Sequence, residues 1–293
     1  MDRGSTRGGI GGRGRRSALV TLFALLLWAA AALDGPGCAL EGTGGRAVLV
    51  EVELTSEPMQ GTLGRARTLH SPGWTVTLDE ATVVVGAVYL FPPRRETAAL
   101  RPWGPARALA HAGDDNFFGV PARAEYLEAA LHDALEPGAR RLGRVVAEEG
   151  PLDVASVWLD EPRGELALAS SPTRGHHAFV RGSAERDGRV IRFEAGIDLE
   201  NTPLRRRVDN IPVEGDRFLG EGSVVRVAVR PDHWLQHVDF DLWLDEEAGA
   251  PDTDGVYRPR QPSLFHTGWM IGFHNRHAFR VETAPAGQAP SAP

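Results

Sequence analysis

A mainly β fold, an antiparallel β-sandwich of ten to twelve short strands with one short helix, is what this sequence predicts. Three observations carry the prediction. Apolar residues recur at every second position along most of the chain, the period of a half-buried strand. Two such alternating arms flank Arg186-Asp187-Gly188, and Asp-Gly accepts the positive φ angles of a tight hairpin turn. Only one stretch combines apolar residues at i, i+4 spacing with proline at both ends, the mark of a bounded helix.

The elements follow in order. Val48, Val50, Val52 and Leu54 alternate with Leu49, Glu51 and Glu53 in the first strand, and Trp74, Val76 and Leu78 with Thr75, Thr77 and Asp79 in the second. Residues Thr82 to Phe91 are almost continuously apolar, as expected of a strand covered on both faces, and Pro92-Pro93 ends it. The helix is expected from Pro121, with Leu127, Leu131, Ala134 and Leu135 along one side and Pro137-Gly138 as its stop. Val154 to Leu159 and Glu165 to Ala169 read as strands, and Ala178 to Ile197 is the Asp-Gly hairpin. Gly222 to Val229, Asp239 to Leu244, Phe265 to Phe273 and Ala278 to Thr283 complete the strands. Pro231 to Gln236 reads as a single turn capped by Asp232. A sandwich is favoured over an outer-membrane barrel, whose strands need about ten residues with an apolar, lipid-facing side. Here most strands are shorter, and their outward positions carry Glu, Arg and Asp.

The chain divides into an export signal (residues 1–37), a tether (38–45), the β-sandwich domain (46–283) and a disordered tail (284–293). Arg3, Arg7, Arg13, Arg15 and Arg16 precede an apolar run from Ala18 to Leu33, after which Gly35-Pro36-Gly37 leads to Cys38. A positive end, a short apolar middle and a small-residue processing site are the three parts of an export signal. The run is shorter than the roughly 20 residues that span a bilayer comfortably, which makes a retained membrane anchor the second reading. Cys38 is the single cysteine of the chain, whereas exported chains ordinarily carry paired sets. A lone cysteine at the end of an export segment resembles a bacterial lipoprotein signal, in which the thiol is acylated and becomes the new N-terminus. Gly37 fits that pattern; Gly35 and Pro36 depart from it, since leucine is usual three residues before the cysteine. The alternative is a plain secretory signal cut nearby, with Cys38 an ordinary thiol. Arg15-Arg16 also resembles part of a twin-arginine signal.

The tail from residue 284 has too little apolar surface to fold. The 293 residues contain no lysine and have a formal net charge of −7. Removing residues 1–37 takes away five arginines and two aspartates, leaving 27 basic against 37 acidic side chains, a net charge of about −10. That balance argues against nucleic acid as a partner, because phosphate binding needs an excess of Arg or Lys. Arg205-Arg206-Arg207 stands among acidic residues and reads as a solvated turn.

Imidazole suits Cu and Zn, so the ten histidines are the first place to look for chemistry. His233 and His237 are four apart, on one face of a helical turn; His274 and His277 are three apart near the last strand. If these segments meet at one end of a sandwich, His233, His237, His274 and His277 form a site for Cu or Zn. His266, Asp239, His111 and Asp114 are accessory candidates. His176 and His177 are adjacent, so at most one is expected to serve a given site. Asp252-Thr253-Asp254-Gly255 has the alternate carboxylates of a calcium loop without its downstream Glu, which favours a plain turn. No nucleophile elbow, phosphate loop or zinc-protease motif is present in the sequence, and no catalytic residue is assigned. Trp74, Trp158 and Trp243 are assigned to the core, and Trp234 to a turn where it could stack on a ligand. The sequence is therefore read as an exported bacterial envelope protein, bound to the membrane through an N-terminal lipid. Its expected role is that of a binding module, with a transition metal as the specific ligand. A carboxylate-dependent hydrolase of envelope glycans and a structural envelope component without a ligand are the alternatives.

Overall fold

The computed structural model describes residues 46–57, 67–93, 121–136, 138–199 and 206–287. The segments expected as export signal and tether, with Cys38, the residues His111 and Asp114, and residues 288–293 lie outside the described residues.

Fifteen strands and two α-helices are present among the described residues. The chain enters through β1 (Ala47–Ser56), β2 (Arg67–Ser71) and the long β3 (Trp74–Phe91), then passes through β4 (Ala124–Tyr126), β5 (Ala130–Asp133) and β6 (Arg140–Glu148). The two-residue β7 (Gly150–Pro151) precedes β8 (Val154–Leu159), and the hairpin of β9 (Ala178–Arg186) and β10 (Arg189–Ile197) follows. After β11 (Arg207–Gly215), β12 (Phe218–Leu219) and β13 (Val224–Val229) come α1 (Phe240–Glu246), β14 (Val256–Tyr257), α2 (Leu264–Phe273) and β15 (Phe279–Ala284).

The expected sandwich is corrected to a closed barrel. Eight strands pair in the ring β3-β4-β6-β1-β13-β15-β11-β8, and β8 returns to β3. Two of the pairings, β1 with β13 and β11 with β15, are parallel; the other six are antiparallel. An even number of reversals is what allows the ring to close without a direction conflict. Inward alternation is the same in a sandwich and in a barrel, so the sequence pattern fits both. The deciding feature is the 18-residue length of β3, whose second half pairs with β4 and β5 on one side and with β8 on the other. Gly86 lies on that seam: a Cβ there would stand 2.8 Å from the Asp160 Cβ, so glycine permits the close approach of β3 and β8.

The ring is a packed core and encloses side chains. Val48, Val50, Val52 and Leu54 of β1, Val83, Val85, Val88 and Leu90 of β3, and Val225, Val227 and Val229 of β13 all belong to one buried cluster. Eight strands leave an interior just wide enough for such side chains.

The first half of β3 extends past the ring and carries a second layer, with β2 on one side and β9, β10 and β14 on the other. A register shift between Leu78 and Glu80 marks the change of environment along the strand. The sequence expects two strands, at 74–78 and 82–91; the chain makes one, kinked by this bulge. The hairpin turn is as expected: Arg186 pairs with Arg189, and Asp187 and Gly188 have φ of 50° and 77°.

Both helices stand where strands were expected. Asp239 caps α1 by accepting from the Leu242 N–H at 3.0 Å, and Ser263 caps α2 by accepting from the His266 N–H. They bring Phe240, Trp243, Phe265, Trp269 and Phe273 into the cluster that includes Phe193 of β10. Ring centroids are 5.6 Å apart for Phe193 and Phe265 and 5.1 Å for Trp243 and Phe265. Conversely, the helix expected after Pro121 is two strands, β4 and β5, both paired with β3. Leu127, central to the supposed apolar stripe, lies between these strands and is 61% exposed, so the stripe is not buried as a helix face. Glu165–Ala169, expected as a strand, overlaps a 3₁₀ turn at Gly164–Ala167, and β2, β6 and β11 were not anticipated.

Candidate functional site

β13 and β15 are antiparallel partners, with Val229 opposite Phe279. The chain leaving β13 and the chain entering β15 therefore lie side by side beyond the same end of the barrel. Each makes a 3₁₀ turn there, Pro231–His233 and Arg276–Ala278, and the Arg230 N–H donates to the Ala278 carbonyl at 2.9 Å. This topology, invisible in the 44-residue gap between them, brings His233 and His277 together, with ring centroids 5.9 Å apart and planes tilted by 33°.

The Gln236 side chain sets the protonation pattern around this pair. His233 Nδ1 lies 3.2 Å from Gln236 Oε1, and Gln236 Nε2 lies 3.2 Å from His237 Nε2. An amide has one accepting and one donating end, so His233 donates from Nδ1 and His237 accepts at Nε2. His233 is left with its lone pair on Nε2, a buried atom with no hydrogen-bond partner among the described residues, 3.5 Å from Asp232 Oδ2. Burial holds the His233 ring below its ordinary pKa, against the opposing pull of Asp232, and the Arg230 guanidinium adds to the lowering. Glu57 receives both Arg230 (2.8 Å) and Arg280 (2.9 Å) beside this turn.

The remaining expected site residues have other partners. His237 is engaged by Gln236, and His274 Nδ1 donates to the Met270 carbonyl at 2.9 Å, which turns its ring back onto α2. His266 is buried, with Nδ1 2.7 Å from Ser263 Oγ and Nε2 2.9 Å from the Gly196 carbonyl, so both nitrogens are used. Asp239 serves as the α1 cap. Among the described residues no group of three or more His, Cys, Asp or Glu side chains is arranged to hold a metal ion. The Asp252-Asp254 loop is a plain turn: Arg258 pairs with Asp252 (2.8 Å), Asp254 (2.7 Å) and Glu194 (2.9 Å). Trp234 is fully buried edge-on against Phe273, so its face does not serve as a platform. Arg206 and Arg207 also depart from the solvated-turn expectation, pairing with Glu161 (3.3 Å) and Asp209 (2.7 Å).

Two polar arrangements escaped the sequence reading. His176 and His177 both approach Asp198, at 3.0 Å and 3.9 Å, because they lie in the turn before β9, where strand alternation does not apply. The His176 hydrogen bond, with His177 close by, holds the Asp198 carboxyl well below the usual carboxylate range. Between β1 and β5, Ser56 Oγ meets His132 Nε2 at 2.8 Å, both residues buried, and the Ser56 hydroxyl lies 3.2 Å from the Asp133 carbonyl. Reading residues 121–135 as a helix hid this second pair.

Compared with known proteins, the chain matches no family model, no curated protein sequence and no solved structure.

Proposed function

We propose that this chain is an exported envelope protein, held to the membrane through lipidated Cys38, whose barrel is a rigid binding module for a divalent transition metal. The observation that carries the metal is the His233–His277 pair with its unpartnered Nε2. With metal–nitrogen bonds of about 2.0–2.1 Å, two imidazoles on one ion place their centroids roughly 5–6 Å apart. The separation of 5.9 Å lies at the upper end of that range. The two imidazoles are the only protein ligands proposed, and solvent oxygens complete the coordination. Two imidazole nitrogens with solvent oxygens suit Zn or Cu(II), with Cu(II) the tighter by the general order of affinities. The filled barrel interior supports a site at its end over one within it.

The test is metal analysis and thermal unfolding of untagged protein with added Zn or Cu(II). A ligand of the folded state raises the unfolding temperature, and binding at 100 times the dissociation constant contributes about 2.7 kcal/mol. His233→Ala and His277→Ala are each expected to abolish the rise, while His274→Ala leaves it intact. No bound metal and no shift with either ion would leave the chain as a structural envelope component. Anchoring is tested separately: Cys38→Ala is expected in the soluble fraction, and its retention with membranes would reject lipidation.

A further inference from the structure

The start of β1, the end of β6 and the start of β13 form one end of the barrel, opposite to the end that carries His233. Ala47 pairs with Glu148, the Gly222 N–H donates to the Leu49 carbonyl, and Val224 pairs with Ala284. Three large apolar side chains are exposed at this end. Leu49 (44% exposed) and Val146 (58%) stand opposite each other in register on the outer face. Phe218 (43% exposed) is 4.0 Å from where a Cβ on Gly220 would sit, and the neighbouring Glu221 carboxylate accepts from the Leu49 N–H at 3.1 Å. Exposed apolar groups gathered in one place mark a contact surface more than groups scattered singly.

The chain itself indicates what covers them. Cys38 lies nine residues before Ala47, so an acyl chain on Cys38 is at most ~30 Å from this end. The exposed charges nearby are of both signs, Arg144, Arg217, Asp216 and Glu221, which gives no net attraction to an anionic surface. We propose that Leu49, Val146 and Phe218 dock on the headgroup–acyl boundary of the bilayer that holds the anchor. The barrel then stands on the membrane with the His233–His277 end pointing away. Apolar residues entering the interface to a shallow depth, with polar neighbours left at headgroup level, are how proteins lie on a bilayer without crossing it. This inference rests on the anchoring reading and adds an orientation to it.

The experiment uses the acylated full-length mature chain in phosphatidylcholine vesicles, with an environment-sensitive fluorophore on Val146→Cys or, at the far end, on exposed Ile271→Cys. Acylation of Cys38 leaves the introduced thiol as the one labelled. Lipid-borne nitroxide is expected to quench the Val146→Cys probe several-fold more than the Ile271→Cys probe. A Leu49→Asp/Phe218→Asp background is expected to remove that difference while the protein still floats with the vesicles. Flotation with equal quenching at both positions would overturn the docking and leave the anchor standing. Failure to float would overturn the anchor and the docking with it.

Discussion

His132 lies on β5, opposite Val83 of β3, and is buried. Burial pushes its pKa down to about 4, against a smaller upward pull from Asp133 and the Thr55 carbonyl. The Ser56 hydroxyl lies 2.8 Å from Nε2, and the neutral ring is the form the fold selects. Above pH 6.5 the ring is neutral in both folded and unfolded chains. Between pH 6.5 and about 4 the unfolded chain takes up a proton that the folded chain refuses, so stability declines as pH falls through that window. The loss is about 3 kcal/mol at most, with flattening below the folded pKa. His233 and His266, whose pKa values are also lowered by burial, act in the same direction. His132→Gln keeps a polar group beside Ser56 and removes the titration. Urea midpoints measured from pH 7 to pH 4 are expected to fall less steeply for this variant than for the native chain. Parallel curves would show that His132 does not carry the effect.

Among the elements, α2 shows how a local preference and a tertiary contact compete. Its residues, LFHTGWMIGF, are aromatic and apolar with two glycines, which by propensity alone reads as a buried strand. The glycines explain the helix. Four residues apart, Gly268 and Gly272 share one face, and that face lies on the backbone of residues 233–238. A Cβ would come within 2.4 Å of the His237 carbonyl oxygen at the first and within 2.3 Å of the His233 and Trp234 oxygens at the second. Replacing a mid-helix glycine by alanine ordinarily stabilises by up to about 1 kcal/mol. A clash with backbone that cannot move aside costs about 1–3 kcal/mol. The clash is the larger effect, so Gly272→Ala is expected to lower stability by about 1–2 kcal/mol in urea unfolding. An unchanged or raised midpoint would mean that α2 is less closely seated. The cue for this helix was present in the chain, as Ser263 before an apolar run with glycines at i, i+4. Strand alternation was legible where side chains face one core, as in β1, β8, β13 and the β9–β10 hairpin. It failed where pairing with β3 made strands of Ala124–Tyr126 and Ala130–Asp133 in place of the expected helix, and where capping side chains started helices in aromatic segments. The histidine pair was legible only in half. Residue type pointed to His233 and His277, while their meeting depends on β13 and β15 being partners, and the loss of His237 and His274 depends on single hydrogen bonds.

For the whole molecule, closure decides how it responds to damage. A sandwich can loosen one sheet against the other, whereas a ring has no free edge to peel, and each wall strand is held from both sides. The core does not stop at the ring. The buried cluster runs from Leu54 on β1 through β3 to Phe193, Phe240 and Phe265 beneath the helices, with β3 belonging to both layers. Barrel and cap should therefore unfold together. Leu54→Ala removes packing inside the ring and Phe265→Ala removes it beneath the cap; each is expected to cost about 3–4 kcal/mol. For a body of this size that corresponds to a fall in Tm of roughly 6–16 °C. Scanning calorimetry is expected to show one transition in the native chain and in both variants, displaced as a whole. If the cap variant instead split the trace, leaving an undisplaced barrel transition, the helical layer would be a separate cooperative unit. The long strand β3 would then join two modules without coupling them.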